Sequence, residues 1–441
     1  MKRLLPLLLC AVLALFCATT AQAAGVSITL TASEYALHYA FDAGAQDPFV
    51  ILEYATPAEK GWMMLYSEDG HFEGDVSLAY SGAGGKTSVA LTSARTTGSI
   101  GKASTTLPKA ADYQKPTGKS NAKVTDFVLT ETPEGFHYAF NAAGTDYMLL
   151  YWRSKEQTVI QPVYPDENGH YEGDVVSELT FARTQFTVQV KSGSGSMKKE
   201  ATVRKGYQAP EAPQRQEGRL SGVTVCIDAG HQENGRFVNE PIGPGLTGST
   251  SGKGGMAQGT KTNRRESIVC LEIGMLLRDE LLRQGANVVM TREDQTTFHT
   301  NIERCEIAEA GGAQIMLRLH CNNSSNRSKR GIQVYGPLNS DYAKAVADAD
   351  TYREMGQKLL DAMKTRVGMT LANSTGMVRL NDNYVGNNWA KMMCFLVEMG
   401  YLSNPAEEYL LVTPVYQQWL AEGMADGVYE IAVARGWVQA Q

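Results

Sequence analysis

Cysteine is scarce in this chain and poorly placed for cross-linking. There are seven in 441 residues. Cys10 and Cys17 fall in an N-terminal export signal, and Cys226, Cys270, Cys305, Cys321 and Cys394 all lie in the C-terminal half. The remainder is odd in number, and no two cysteines have Cys-x-x-Cys spacing. Both facts argue against a disulfide scaffold and against a thiolate zinc site. In apolar stretches such cysteines behave as small hydrophobes. Basic excess is also lacking. The formal net charge is -6, whereas a nucleic acid partner calls for a basic face, so none is expected. Beyond the first residues no apolar run is long enough to span a bilayer, so no integral span is expected after signal removal.

The start of the chain reads as that signal. Lys2 and Arg3 precede an apolar run over 4–16, and Ala21-Gln22-Ala23 is a small-x-small cleavage site. Residues 1–23 are therefore expected to be removed, leaving a secreted protein. The length exceeds one ordinary domain and suggests two or three.

The first half contains an internal repeat. Leu37-His38-Tyr39-Ala40-Phe41-Asp42 matches Phe136-His137-Tyr138-Ala139-Phe140-Asn141, and Gly70-His71-Phe72-Glu73-Gly74-Asp75-Val76 matches Gly169-His170-Tyr171-Glu172-Gly173-Asp174-Val175. From His38 to His137 and from His71 to His170 the offset is the same, 99 residues. Short aromatic and aliphatic runs punctuated by Gly, Asp, Asn and Ser predict strands at 28–31, 36–41, 50–54 and 62–66. No helical period is sustained. Two all-β, sandwich-like units are expected, over 24–116 and 122–208. The recurring His38, His71, His137 and His170 have no ligand-type spacing and read as equivalent strand and turn positions. Tyr66, Phe72, Tyr164 and Tyr171 read as core rather than sugar-stacking residues, because strand alternation buries half of them. A polar, proline-containing stretch over 209–219 reads as an extended linker.

From 220 the pattern alternates strand and helix. Buried-type strands are predicted at 223–227, 287–291, 315–319 and 394–397, with helices at 266–284, 301–309, 348–367 and 414–436. This predicts an α/β domain over 220–441, three-layered, with a mostly parallel central sheet. Ligands in such folds bind outside the carboxyl ends of the strands. His231, His320 and Glu398 each follow a predicted strand, and Glu266 opens a helix at the same rim. Two histidines and a carboxylate make a catalytic zinc set, and a second carboxylate can move protons. Glu398 directly follows Phe395-Leu396-Val397, where an acid is costly unless bonded, paired or liganding. Glu233 and Glu240 are alternative carboxylate ligands, and His299 is a competing imidazole expected to be structural.

These stretches resemble the zinc-dependent N-acetylmuramoyl-L-alanine amidases of the cell-wall hydrolase type. The resemblance rests on Asp228-Ala229-Gly230-His231, Glu266, His320-Cys321-Asn322, and Val397-Glu398-Met399-Gly400-Tyr401-Leu402-Ser403-Asn404, with Thr291-Arg292-Glu293-Asp294 beside them. It covers about 220–436. It implies Zn2+ held by His231, Glu266 and His320, with Glu398 as the proton-transferring carboxylate. The reaction implied is cleavage of the amide between N-acetylmuramic acid and L-alanine of peptidoglycan, at the cell wall. Asn322, Asn323, Asn388 and Trp389 are expected substrate contacts. In two respects the chain departs from compact members. His231 and Glu266 are 35 residues apart, and Arg318 stands where many members carry a small residue. Another zinc peptidase of cell-wall peptides, or a non-catalytic wall binder acting through the β units, are the rival functions.

Overall fold

The computed structural model describes residues 19–21, 25–95, 98–113, 123–132, 135–145, 147–154, 157–176, 185–191, 197–204, 210–232, 238–250, 256–262, 264–368 and 377–440. The export-signal expectation falls almost wholly outside them, as do Glu233 and the residues 114–122 between the two expected β units. The chain divides into an N-terminal unit, chiefly the residues up to 204, and a C-terminal unit from 205 onward.

The described residues of the N-terminal unit are arranged in β-sheets. Strands Ile28–Ser33, Ala36–Asp42 and His71–Ser77 form one small sheet, with Thr19–Ala21 at its edge. Thr125–Thr132, Gly135–Asn141 and His170–Val176 form a second. Both face one eight-stranded sheet, to which each copy contributes four strands. The copies join where Gln157–Val163 pairs antiparallel with Glu59–Tyr66. Alternate residues of facing sheets fill two cores. The first holds Leu37, Tyr39 and Phe41 against Leu52, Leu65 and Leu91. The second holds Phe136, Tyr138 and Phe140 against Leu150, Trp152 and Val188.

Matched positions make matched contacts. His38 Nδ1 meets Asp75 at 3.0 Å and His137 Nδ1 meets Asp174 at 2.9 Å. These are directly opposed cross-strand pairs on the solvent face. Phe72 stacks on Phe41 at 4.9 Å and Tyr171 on Phe140 at 4.5 Å, both inside the cores. Tyr66 tilts against Phe49, and Tyr164 is about half exposed.

In the C-terminal unit six strands form one sheet, in the order Asn287–Met290, Thr224–Ala229, Ile315–Asn322, Met393–Tyr401, Gln333–Gly336, Met377–Leu380. The first four run parallel. Gln333–Gly336 pairs antiparallel with Met393–Tyr401 and parallel with Met377–Leu380, so the sheet is mixed rather than wholly parallel. The reason is local. Residues 323–332 connect Ile315–Asn322 to Gln333–Gly336 without a helix, and a parallel return needs a crossover of a dozen or more residues.

Helices cover both faces. Glu266–Arg283 lies on one, where Gly274 approaches Ala229, Ile227 and Leu319. Asn301–Ala310 covers the other, over Cys226, Met316 and Cys394. A capping box of Thr300 and Glu303 starts that helix. All five cysteines of this unit are free and buried. The described part of the connector is docked within the unit. Gln216 N–H donates to Leu282 O at 3.0 Å, and Arg278 donates to Pro210 O at 2.9 Å.

One packing detail depends on a glycine. A Cβ at Gly386, in the short helix Val385–Trp389, would lie 2.2 Å from Cζ of Arg318. Arg318 cannot move aside, because its guanidinium donates to Asp228 at 2.9 Å and Asn301 at 2.6 Å. Gly386→Ala is therefore expected to destabilise the protein by roughly 1–3 kcal/mol through overpacking. Denaturant unfolding checks this, and an unchanged midpoint would contradict it.

Candidate metal centre

The rim of the sheet collects the predicted residues from three strands and one helix. Strand Thr224–Ala229 ends two residues before His231, which takes a left-handed backbone with φ of 60°. His320 and Glu398 lie inside their strands rather than after them. They are register partners across the parallel ladder, so their backbones are neighbours about 4.8 Å apart. Glu266 is the first residue of helix Glu266–Arg283, where the helix dipole favours a carboxylate.

Three of the four side chains meet. Glu266 Oε1 lies 3.1 Å from His231 Nε2 and 3.0 Å from His320 Nδ1. Donor atoms of His231, Glu266 and His320 all fall within 4.8 Å of one another, the one such group among the described residues. Two backbone N–H groups steady the carboxylate: Cys321 donates to Oε1 at 3.0 Å and Ala257 to Oε2 at 2.8 Å. The imidazoles sit edge to face, with centroids 4.9 Å apart. Gly230 makes room for them, since a Cβ there would come within 2.7 Å of His320 Nε2.

The charges follow from burial and neighbours. Burial works to raise the Glu266 pKa, but hydrogen bonds from His231 and His320 outweigh it and hold the carboxyl well below the usual range. Burial lowers the pKa of His320, against an opposing pull from Glu266. Glu398 is pushed up to about 8, first by burial and then by the Glu266 charge. Its Oε2 is buried with no hydrogen-bond partner, as is Nε2 of His320. A carboxyl of raised proton affinity thus lies at the same rim as three convergent donors.

Other candidates have different occupations. Glu240 is buried and accepts from Asn301 and from Ile302 N–H, capping helix Asn301–Ala310, so it is not a ligand alternative. His299 stays outside the cluster, and its carbonyl accepts from Arg304. Asn322 bonds Gln333 at 3.1 Å and accepts from Asn323 N–H at 2.8 Å. Asn323 is exposed. Asn388 has no exposed surface and donates to Ile242 O and Asp382 O. Trp389 donates to Pro241 O at 2.9 Å. The side chains of Asn388 and Trp389 anchor loops, which leaves Asn388 no surface from which to touch a substrate.

The sequence reading missed the ionic network beneath the cluster. Asp228 is fully buried between Arg304 and Arg318 and also accepts from Thr291. Burial would raise its pKa, yet the two guanidiniums hold it far below the usual aspartate range. The signals were Asp228 itself, the Thr-Arg-x-Asp stretch and the unexpected Arg318.

An imidazole–carboxylate–imidazole set at one sheet rim is the kind of donor set that metal-dependent hydrolases use. Residues 225–430 match the N-acetylmuramoyl-L-alanine amidase family. This part of the chain is similar to that family of amidases. The germination-specific N-acetylmuramoyl-L-alanine amidase of Bacillus subtilis (strain 168) is 26% identical over 231 residues, covering 49% of this chain and 83% of that protein. The probable cell wall amidase LytH of Staphylococcus aureus is 27% identical over 218 residues, covering 48% of this chain and 60% of that one. Among solved structures, an N-acetylmuramoyl-L-alanine amidase from Clostridium difficile 630 is 25% identical, with TM-score 0.38, covering 48% of this chain and 96% of that one.

Asp228→Asn leaves two buried guanidiniums facing a neutral amide. It is expected to cost about 3–5 kcal/mol. Because the folded pKa is depressed, the ionic contribution is complete above about pH 4, the ordinary aspartate value, and is lost as pH falls below it. Unfolding midpoints from neutral to acid pH check this. The variant should lose stability at pH 7, and equal midpoints there would contradict the account.

Proposed function

We propose that this chain is an exported, zinc-dependent hydrolase of cell-wall peptidoglycan. It cuts the amide joining the lactyl group of N-acetylmuramic acid to L-alanine of the stem peptide. Residues 24–116 and 122–208 are taken as two copies of one β unit, 209–219 as the linker and 220–441 as the amidase domain. His231, Glu266 and His320 hold the metal, and Glu398 carries the proton.

The observation that supports this best is the meeting of His231 Nε2 and His320 Nδ1 on one oxygen of Glu266, at 3.1 and 3.0 Å. The donors fit the ion. Tetrahedral zinc with bonds near 2.0–2.1 Å spaces its ligands by ~3.3 Å, close to these separations. The set is two neutral-capable imidazoles and a carboxylate already held ionised. When bound there, Zn2+ supplies Lewis acidity, polarising the amide carbonyl and lowering the pKa of water towards about 7.

The rest of the chemistry belongs to the chain. Glu398 Oε2, with no protein partner, takes a proton from the attacking water and returns it to the leaving nitrogen of L-alanine. Its raised proton affinity suits the donating half of that cycle, and a neighbouring cation lowers it toward the accepting half. Glu266 cannot share the task, because its two oxygens are fixed by the imidazoles and by the Cys321 and Ala257 N–H groups. Two carboxylates at one rim thus separate into ligand and proton carrier.

Glu398→Gln is expected to keep one zinc per chain and to lose about 10²–10⁴-fold in turnover on purified cell wall. His320→Ala is expected to lose the metal as well. Metal analysis beside a turnover assay checks both. A Glu398→Gln enzyme with full turnover would remove that residue from the chemistry.

A further inference from the structure

The Thr291-Arg292-Glu293-Asp294 stretch has no task in the reaction as described, yet Arg292 is buried against the cluster's backbone. We infer that Arg292 is a positioning residue that sets the spacing between the His231 turn and the Glu266 helix start. The inference rests on the proposed reading that these residues hold zinc.

The His231 turn needs outside support. At φ of 60° it is in the left-handed region without being glycine, where the Cβ crowds the following carbonyl. Three consecutive carbonyls of this turn are taken by two guanidiniums. Arg292 Nε donates to Ala229 O at 2.6 Å and Arg292 Nη2 to Gly230 O at 2.9 Å. Arg304 donates to Ala229 O at 3.0 Å and to His231 O at 3.1 Å.

Arg292 alone reaches further. The same Nη2 donates to Ser267 O at 2.7 Å, one residue past Glu266, and Nη1 donates to Asp294 O at 2.8 Å. One planar fork therefore grips the backbone on both sides of the contact between His231 and Glu266. Its four acceptors are all backbone carbonyls. A cation buried on dipoles rather than on a carboxylate is a costly choice. The fixed geometry of the fork is what such a site uses, and a lysine ammonium cannot reproduce it. Gln295 also donates to Ser267 O, at 3.0 Å, but none of its hydrogen bonds among the described residues reaches the His231 turn.

The test is Arg292→Lys in the full chain. Zinc affinity is measured by competition with a chromophoric chelator, and melting temperature with and without zinc. Affinity should fall roughly 10–100-fold, the usual range for residues that orient metal ligands, and the rise in melting temperature on zinc loading should shrink. A general structural role predicts instead that both melting curves drop together while affinity stays put, and that result overturns the inference. Should the lysine variant not fold, Gln295→Ala decides. Affinity within about twofold of the parent supports Arg292 as the spacer, and a tenfold loss assigns the spacing to Gln295 and overturns it. The unsubstituted chain and His231→Ala are run alongside. A parent chain that binds no zinc sinks the metal reading and this inference together. Zinc binding that is abolished in His231→Ala but undisturbed in Arg292→Lys sinks only the inference.

Discussion

A carboxylate with no exposed surface, held between two guanidiniums, underlies the C-terminal unit. Asp228 sits on the strand that leads into the His231 turn, Arg304 on a helix and Arg318 on the His320 strand. Each is intolerably costly to bury alone and acceptable only together. Satisfying them locks the strand leading to one imidazole to the strand carrying the other. The covering helix is locked in as well. Glu266 arrives at a helix start, the two imidazoles close on one of its oxygens, and Glu398 stands opposite His320 in register. Arg304, one of the two cations that settle Asp228, also donates to the Ala229 and His231 carbonyls of the turn, so ionic core and candidate centre share a side chain.

That arrangement explains why like groups take unlike roles. Glu266, which is buried, and Glu398, which is partly buried, are carboxylates at one sheet rim. The first is surrounded by donors and stays ionised. The second has an oxygen with no donor and is raised by burial and by its neighbour's charge to about 8. Environment alone thus sets two like carboxyls far apart in proton affinity. His320 is likewise disposed to be neutral, which a metal ligand requires.

The legibility of the chain followed the range of its interactions. Helix Glu266–Arg283 shows in the spacing of Ile268, Val269, Leu271, Met275 and Leu281, because its core face is a local period. The recurrence of His38 at His137 marks matched strands, each histidine facing an aspartate across the ladder. The residues of the cluster were legible because strand ends and helix starts of an α/β sheet share a rim. What stayed hidden was long-range or too short to have a period. Gln333–Gly336 has four residues, too few to alternate convincingly, and its reversal makes the sheet mixed. The pairing of Gln157–Val163 with Glu59–Tyr66 leaves no trace in either strand. Arg304 and Arg318 meet Asp228 across 76 and 90 residues, and only coordinates identify them as partners. Asn388 looked like a rim residue because polar loop positions there often bind ligands; it has no exposed surface, and its bonds to Ile242 and Asp382 make it a loop anchor.

The central claim is that two imidazoles and one carboxylate share a divalent ion that the hydrolysis requires. Mass spectrometry of peptidoglycan digested by zinc-loaded and by chelator-stripped protein tests it most directly. The account predicts free stem peptides beginning with an unblocked L-alanine amine from the loaded protein, none from the stripped protein, and their return when zinc is restored. The same peptides released at equal rate without metal, or stem peptides shortened only at their carboxyl ends, would contradict it.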